Sequence, residues 1–405
     1  MNRYIIVSWL LLLAMMVLTV GCRDDEGNDP RQKAIVELVP SVSSYTDIEP
    51  ITRATSPTWA PNGYYLYDDL TGVNGVLMSN TGAQIKVFFT KDVQGGSPVV
   101  YDHGFSYNGK WVIDEKVENP GEYQLYGFVP YTASTDYSIA KYDNFANGAT
   151  LTLNNLNSVM NQDMCVIVGA KHGRKEGNSD PVPVTENSKV AAGDFTCHIS
   201  GGDTPNYIFL LFDHLYAALR FRFRVHEEYA ALRKIKLKKL ELLAYSDEAC
   251  TTLMTKHVST TITLRANNTG ASPIVGDVNF TPVPESGDMS PVLIYDSEVE
   301  LPSGKYPEDY EVVDLRGEDI YTDNMGFVPK TSSYYKLIST YDVYDTNDNL
   351  IRQDCTAENK IDPRKQFNQT SLNRGYIYTL RFTVRPTYLY VLSEPDLDNP
   401  TMTIN

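Results

Sequence analysis

Histidines next to carboxylates are the side chains of this chain with the most obvious catalytic potential, and their spacing predicts no enzyme. His226 begins a His-Glu-Glu sequence typical of a zinc-protease helix, but Ala230 stands where the second histidine must lie on the same helix face. His214 lies in an apolar stretch without an identifiable catalytic partner, which favours a packing histidine. The chain contains no G-x-S-x-G motif and no phosphate-binding loop. We therefore predict no catalytic site, no cofactor and no bound metal.

Two further patterns could bind a ligand. Residues Asp345–Leu350 begin like an oxygen-rich calcium loop, but the sixth position lacks glycine and Thr356 stands where the loop needs glutamate. A hairpin turn is the preferred interpretation, because Asp and Asn bond readily to nearby backbone groups. Tyrosine pairs at positions 64–65 and 334–335 leave open a surface that stacks on sugar rings, although packing within strands is the ordinary expectation.

Cys22 is a candidate for covalent modification. It follows an apolar run from Ile5 to Val20 that is short for a membrane span and typical of a secretory signal. A cysteine at this place resembles the lipobox of bacterial lipoproteins, whose cysteine is acylated after cleavage; an ordinary signal peptide is the alternative. The acidic residues at 24–26 resemble the tag that directs Bacteroidetes lipoproteins to the outer face of the outer membrane. Acyl chains would then anchor the protein.

Composition narrows the class of partner. The chain has 35 Lys and Arg against 51 Asp and Glu, a formal charge of -16, so nucleic acid is excluded as an expected partner.

With 28 Tyr and 14 Phe, the composition of the chain favours strands, and its 405 residues favour more than one domain. The four cysteines after Cys22 show no CxxC spacing, which leaves one disulfide or four free thiols open.

The fold class follows from alternating patterns. Between Leu219 and Val225 apolar residues alternate with arginines, which predicts a strand with one face in a core and the arginines in water. Residues 376–385 alternate in the same way. The run at 232–244 changes parity near Lys238, which predicts a strand with a β-bulge, a helix being the alternative. The alternating strands at 219–225 and 376–385 lie far apart in sequence, and together they predict an all-β protein built from β-sandwiches.

The domain boundaries follow from composition. We predict a signal peptide at 1–21, a tether and first strand at 22–53, an N-terminal sandwich at 54–180 and a C-terminal sandwich at 181–405. The first strand is expected in the sequence AIVELV, and a Ser/Thr/Pro-rich stretch follows it. Within that stretch, Arg53 would be open to a trypsin-like protease.

Several stretches together resemble the fimbrillin-like, type V pilin lipoproteins of Bacteroidales. They are Cys22 with its acidic tag, Thr52-Arg53-Ala54, the strand Gly121–Pro130 (GEYQLYGFVP), Asp163-Met164 before a buried strand, Phe212–Ala217 (FDHLYA), and the alternating C-terminal strand. The resemblance implies two tandem transthyretin-like β-sandwiches and assembly by donor-strand exchange. An arginine-specific protease would cut between Arg53 and Ala54 and release the first strand.

The resemblance also implies which residues exchange. Ala34, Val36 and Leu38 would fill a groove in the precursor, and Tyr388, Tyr390 and Leu392 of another subunit would replace them. The expected function is a stalk or tip subunit of an adhesive fimbria. The expected partners are other fimbrial subunits, the arginine-specific protease, the outer membrane through the lipid anchor, and a host or bacterial surface ligand. The alternative is a non-polymerising surface lipoprotein that binds glycans through exposed aromatic residues.

Overall fold

The structure of this protein is a computed structural model that describes most of the chain from residue 33 onwards. The described residues are 33–43, 46–48, 67–69, 84–113, 117, 119–177, 179–183, 190, 192–266, 275–284, 287–304, 325–330, 333–389 and 394–404. No helix in this part of the chain combines the length and the apolar composition that a membrane crossing needs.

Strands make up nearly all of the regular structure. In chain order they are β1 (Ala34–Ser43), β2 (Thr46–Ile48), β3 (Tyr67–Asp69), β4 (Gln84–Lys91), β5 (Val99–Tyr107), β6 (Trp111–Val112), β7 (Gly121–Tyr131), β8 (Asp136–Lys141), β9 (Gly148–Asn157), β10 (Cys165–Arg174), β11 (Val182–Pro183), β12 (Thr196–Ile199), β13 (Gly202–His214), β14 (Ala217–His226), β15 (Lys234–Tyr245), β16 (His257–Arg265), β17 (Val275–Pro282), β18 (Val292–Glu300), β19 (Ser303–Gly304), β20 (Met325–Val328), β21 (Tyr334–Tyr344), β22 (Leu350–Ile361), β23 (Tyr376–Leu389) and β24 (Glu394–Ile404). Two short helices, α1 (Glu227–Ala230) and α2 (Pro363–Phe367), follow β14 and β22. The prediction of an all-β protein is confirmed.

The first sheet has ten strands and closes on itself. Its order is β11-β10-β13-β1-β6-β5-β4-β7-β12, with β3 attached to β1, and β7 also pairs with β10. The path from β10 through β13, β1, β6, β5, β4 and β7 therefore returns to β10. The links through β6 and between β7 and β10 involve two residue pairs each, so the edges along this path are paired only in part. The ring encloses one buried apolar cluster, to which β1, β4, β7, β10 and β13 all contribute.

The other sheets pack face to face. The fourth sheet (β17-β16-β9-β8) covers the outer face of β4, β7 and β10 through a second apolar cluster. The second sheet (β19-β14-β23-β2, with β20 and β24) packs on the third (β18-β15-β21-β22) through a third cluster. The strands β12 and β13 belong to the first sheet, although the division predicted from composition placed residues beyond 180 in the second domain. The division at 180 stays a prediction.

The strand β14 contains the alternating run of apolar residues and arginines, and only its apolar face lies where the pattern predicts. Leu219, Phe221 and Phe223 of β14 are buried, as expected. The expectation that the arginine face lies in water is wrong, because Arg220 and Arg224 are only 5% and 6% exposed. Threonine hydroxyls of the neighbouring strand β23 accept hydrogen bonds from these guanidinium groups, which compensates part of their desolvation.

The predicted bulge in β15 is confirmed, and the hairpin after β5 differs in its loop length. The pairing of β15 with β21 shifts between Leu237 and Lys239, which is the expected bulge, and the helical alternative is wrong. The pairing of β15 with β18 shifts there too and again between Leu240 and Glu241. The pair Asn108-Gly109 predicts a hairpin with a two-residue turn. The hairpin of β5 and β6 is present, but its loop has three residues, because Tyr107 pairs with Trp111. Gly109 has φ +73°, a value that side-chain-bearing residues rarely adopt. The four cysteines Cys165, Cys197, Cys250 and Cys355 are free.

Candidate functional site

The strand β1 occupies a place inside the closed first sheet. It runs parallel to β13, with Val36 opposite Asn206 and Val42 opposite Phe212, and antiparallel to β6, with Leu38 opposite Trp111. A main-chain pair between Ala34 and Val117 holds its beginning. Both long edges of β1 are therefore paired along part of their length, and its removal would break the ring of strands.

Alternation in the sequence AIVELV explains how β1 fits. Ala34, Val36 and Leu38 have exposed fractions of 0%, 1% and 3% and belong to the cluster enclosed by the first sheet. The residues between them, Ile35 and Glu37, are partly exposed on the opposite face. The period of two of a strand places these side chains, and the structure puts the three predicted groove residues in one core.

Polar contacts fix the position of β1 along its neighbours. Asn206 is 3% exposed, and its side-chain amide donates to the backbone oxygen of Ile35 at 3.1 Å. The hydroxyl of Ser41 donates to the backbone oxygen of Leu210 at 3.0 Å. Because Asn206 contacts the main chain, it could make the same hydrogen bond to another strand that entered this place, whatever the sequence of that strand.

An ion pair links the exposed face of β1 to the hairpin of β5 and β6. The ammonium of Lys110 donates to Glu37 at 2.8 Å, and this bond raises the pKa of Lys110. Since Lys110 is largely exposed, the pair contributes little to the stability of the chain.

The chain after β1 contacts two sheets. The strand β2 runs parallel to β23 in the second sheet, and β3 pairs with the end of β1, Ser43 lying opposite Tyr67. The predicted cleavage residues Arg53 and Ala54 lie between β2 and β3 in sequence and outside the described residues, as does the predicted lipid cysteine Cys22. In sequence, the cut would separate β1 and β2 from the rest of the chain.

The predicted donor region lies at the end of β23. Tyr388 belongs to this strand, opposite Pro395 of β24, and its side chain is outside the described residues together with Tyr390 and Leu392. The last strand, β24, pairs with β23 and buries Met402, which is 6% exposed. The strand β24 is thus held in the second sheet of its own chain.

A group of ionisable side chains lies buried near one end of the closed sheet. His214 at the end of β13 places Nδ1 2.5 Å from Oδ2 of Asp163 and 3.4 Å from Sγ of Cys165, which begins β10. The three side chains are fully buried. Burial, together with the charges of Asp163 and Asp213, raises the pKa of the Cys165 thiol well above its usual value. The predicted packing histidine therefore has two polar partners that its sequence context did not reveal.

An ion pair stands beside this group. Asp213 is nearly buried and accepts a hydrogen bond from Arg374 at 2.7 Å, and the same guanidinium donates to the backbone oxygen of His214 at 3.0 Å. Arg374 precedes β23, so this contact connects the first sheet to the chain entering the second. The sequence offered no signal for it, because the two residues are 161 positions apart.

The calcium-like turn and the tyrosine pair at 334–335, both within the described part of the chain, give no binding surface. Asp345 accepts hydrogen bonds from the backbone nitrogens of Asn347 and Asn349, both at 2.8 Å, within the turn between β21 and β22, so the hairpin interpretation is confirmed. Tyr334 and Tyr335 are 7% and 0% exposed and cannot stack on a sugar. The tyrosine pair at 64–65 lies outside the described residues.

Comparison with known proteins finds only distant similarity. No protein-family model and no curated protein matches the chain. Among solved structures, it is similar to a candidate cell adhesion protein of Bacteroides fragilis, with 13% identity over 92% of this chain and 97% of that chain and a TM-score of 0.35. A second candidate cell adhesion protein, from Bacteroides uniformis, has 8% identity over 80% and 91% of the two chains and a TM-score of 0.33. A fimbrial protein of Bacteroides ovatus has 12% identity over 87% of this chain and 48% of that chain, with a TM-score of 0.29. At these values the similarity assigns neither a family nor a function.

Proposed function

We propose that this protein is a structural subunit of a cell-surface fimbria, exported as a lipoprotein and assembled by exchange of its first strand. One observation carries the proposal: β1 fills a place in a closed sheet, yet it belongs to the segment before Arg53. A protease that cuts after Arg53 would disconnect this strand without cutting any other strand of the sheet. The proposal assigns no catalytic role to the chain.

The burial of apolar side chains on β1 fits a strand that stays in the sheet until a strand of another subunit replaces it. Val36 and Leu38 are almost fully buried, and each buried aliphatic side chain contributes about 1.5–3 kcal/mol. The free edges of β13 and β6 would leave backbone groups unpaired and apolar side chains exposed, which favours association. A strand from another subunit would restore both, with backbone bonds supplying affinity and alternate side chains supplying register.

The donor is proposed to be the C-terminal region of another subunit. In this proposal Tyr388, Tyr390 and Leu392 enter the groove, and the hairpin of β23 and β24 has to open at its far end. A subunit whose hairpin stays closed could accept a strand but not donate one, which would place it at the end of a fibre. Acylated Cys22 would hold the precursor at the outer membrane until the protease acts.

Limited digestion tests the proposal. The folded precursor is treated with an arginine-specific protease, the cut is located by mass spectrometry, and assembly is followed by size-exclusion chromatography. We expect one main cut after Arg53 and large assemblies. The matched control is Arg53→Lys, which keeps the charge and should leave the chain uncut and monomeric. A clean cut at Arg53 that leaves a stable monomer would contradict assembly.

The alternative is a lipoprotein that binds glycans and keeps its first strand as part of its anchor. Burial of Tyr334 and Tyr335 removes one of the two surfaces that motivated it. Resistance of the folded precursor at Arg53, combined with binding on a glycan array, would favour this alternative.

A further inference from the structure

Three different metal-binding groups converge inside the closed first sheet. The ligand atoms of Asp163, Cys165 and His214 all lie within 4.8 Å of one another, and the three side chains are fully buried. Carboxylate oxygen, thiolate sulfur and imidazole nitrogen are the ligand types that zinc takes in proteins. Among the described residues this is the one group of three such side chains whose ligand atoms meet in this way.

One buried oxygen atom of this group has no hydrogen-bond partner: Oδ1 of Asp163. A buried polar atom without a partner is costly, and each one in a native structure needs an explanation such as an ion. Burial, with the negative charge of Asp163 as the second cause, raises the pKa of Tyr216. A cation here would satisfy the carboxylate oxygen that the protein leaves unsatisfied.

We propose that Asp163, Cys165 and His214 bind one zinc ion, with a water molecule as a further oxygen ligand. Binding is balanced in charge when the metal-free group consists of carboxylate, imidazolium and thiol. The incoming Zn²⁺ displaces the proton from Nδ1 of His214 and the proton from Sγ of Cys165, and both protons leave to solvent. The buried group is neutral before and after the exchange, so loading adds no net buried charge.

The surrounding charges do not oppose a cation. Arg374 is the nearby positive group, and Asp213 accepts a hydrogen bond from it at 2.7 Å, which makes that pair neutral. The short contact between Nδ1 of His214 and Asp163, 2.5 Å, fits the metal-free state, in which a proton occupies the place between the two ligand atoms. Insertion of zinc would replace this hydrogen bond with a bond from each of the two atoms to the metal.

The position of the group suggests what the ion would do. Cys165 lies opposite His214 in the pairing of β10 with β13, and Tyr216 follows directly before β14 enters the second sheet. Zinc would therefore fasten two strands of the closed sheet at the point where the chain passes to the next sheet. Neither strand lies in the segment before Arg53, so the ion would remain after cleavage. The inference is independent of the proposed fibre.

Metal reconstitution of the full chain tests the site. Because the site is buried, the chain is unfolded in denaturant with a chelator and refolded with Zn²⁺ or Co²⁺, and unbound metal is removed by gel filtration. We expect one zinc per chain by elemental analysis, a thiolate-to-cobalt charge-transfer band in the Co²⁺ form, and release of about two protons per zinc at neutral pH. A refolded chain without bound zinc and without this band would overturn the proposal.

Cys197 provides a matched control. It is another buried free thiol of the same apolar cluster, 1% exposed, and it belongs to no such group of ligands. Cys197→Ser should keep one zinc and the cobalt band, whereas Cys165→Ser should lose the band and bind zinc more weakly by more than about 100-fold, beyond the loss that changes outside the ligand sphere cause. If Cys165→Ser does not refold, Cys165→Ala replaces it. Equal zinc content in the Cys165 and Cys197 variants would also refute the site.

Discussion

Replacement of Leu38 by alanine tests whether β1 contributes to the core of the precursor. Leu38 is 3% exposed and packs in the cluster that the first sheet encloses. Truncation of a buried leucine removes its transfer free energy and leaves a cavity, which together cost about 2–5 kcal/mol. Since a typical domain is stable by about 5–15 kcal/mol, we expect Leu38→Ala to remove a large fraction of the precursor's stability.

Urea unfolding of the uncleaved chain measures this change in the free energy of unfolding. The matched control is Glu37→Gln, which changes the neighbouring residue on the other face of β1 and removes only an ion pair with the exposed Lys110, at a cost of about 0–1 kcal/mol. After digestion and removal of the N-terminal peptide, the Leu38→Ala and unchanged proteins should be equally stable. A precursor that tolerates Leu38→Ala as well as Glu37→Gln would refute the assignment of β1 to the core.

Two further perturbations test contacts in the two halves of the chain. Gly127→Ala would push a Cβ atom into the backbone oxygen of Lys86, so we expect a loss of about 1–3 kcal/mol or more in urea unfolding; Gly104→Ala, whose Cβ meets chiefly the end of a flexible side chain, should cost less. Tyr341 donates a hydrogen bond to the backbone oxygen of Pro400, and burial raises its pKa to about 12. The unfolded chain then loses this proton near pH 10 while the folded chain keeps it, so stability falls as pH rises from 10 to 12. Thermal unfolding across this range should show a shallower fall for Tyr341→Phe, and identical pH profiles would contradict the buried position of Tyr341.

Periodicity predicted the parts of the fold that depend on neighbours in sequence. The burial of Leu219 and the bulge in β15 follow from side-chain alternation, and the structure has both. Turn chemistry at Asn108-Gly109 predicted the hairpin but not its loop length of three residues. The same reasoning placed Ala34, Val36 and Leu38 on one face of a strand. It could not supply the partner strand of β1, because β13 lies about 170 residues further along the chain, as the contact of Ser41 with Leu210 shows.

Long-range polar contacts were the part that the sequence did not predict. The arginines of β14 were expected in water, since charged side chains are rarely buried without partners. Their partners are threonines of β23, separated by 159 positions, and nothing local marks them. The contact of Asp163 with His214 likewise depends on the pairing of β10 with β13. The sequence did predict that the calcium-like stretch at Asp345 is a turn, because Asp345 bonds to residues only two to four positions away.

The parallel pairing of β1 with β13 has a consequence for how the chain folds. Strand pairs between distant segments form slowly, because loop closure costs entropy before any contact forms. The place of β1 exists only after residues up to His214 have emerged, so closure of the first sheet is expected late in folding. We therefore expect an open sheet that lacks β1 as a late folding intermediate. If the proposed cut after Arg53 releases β1, the chain would return to that open state.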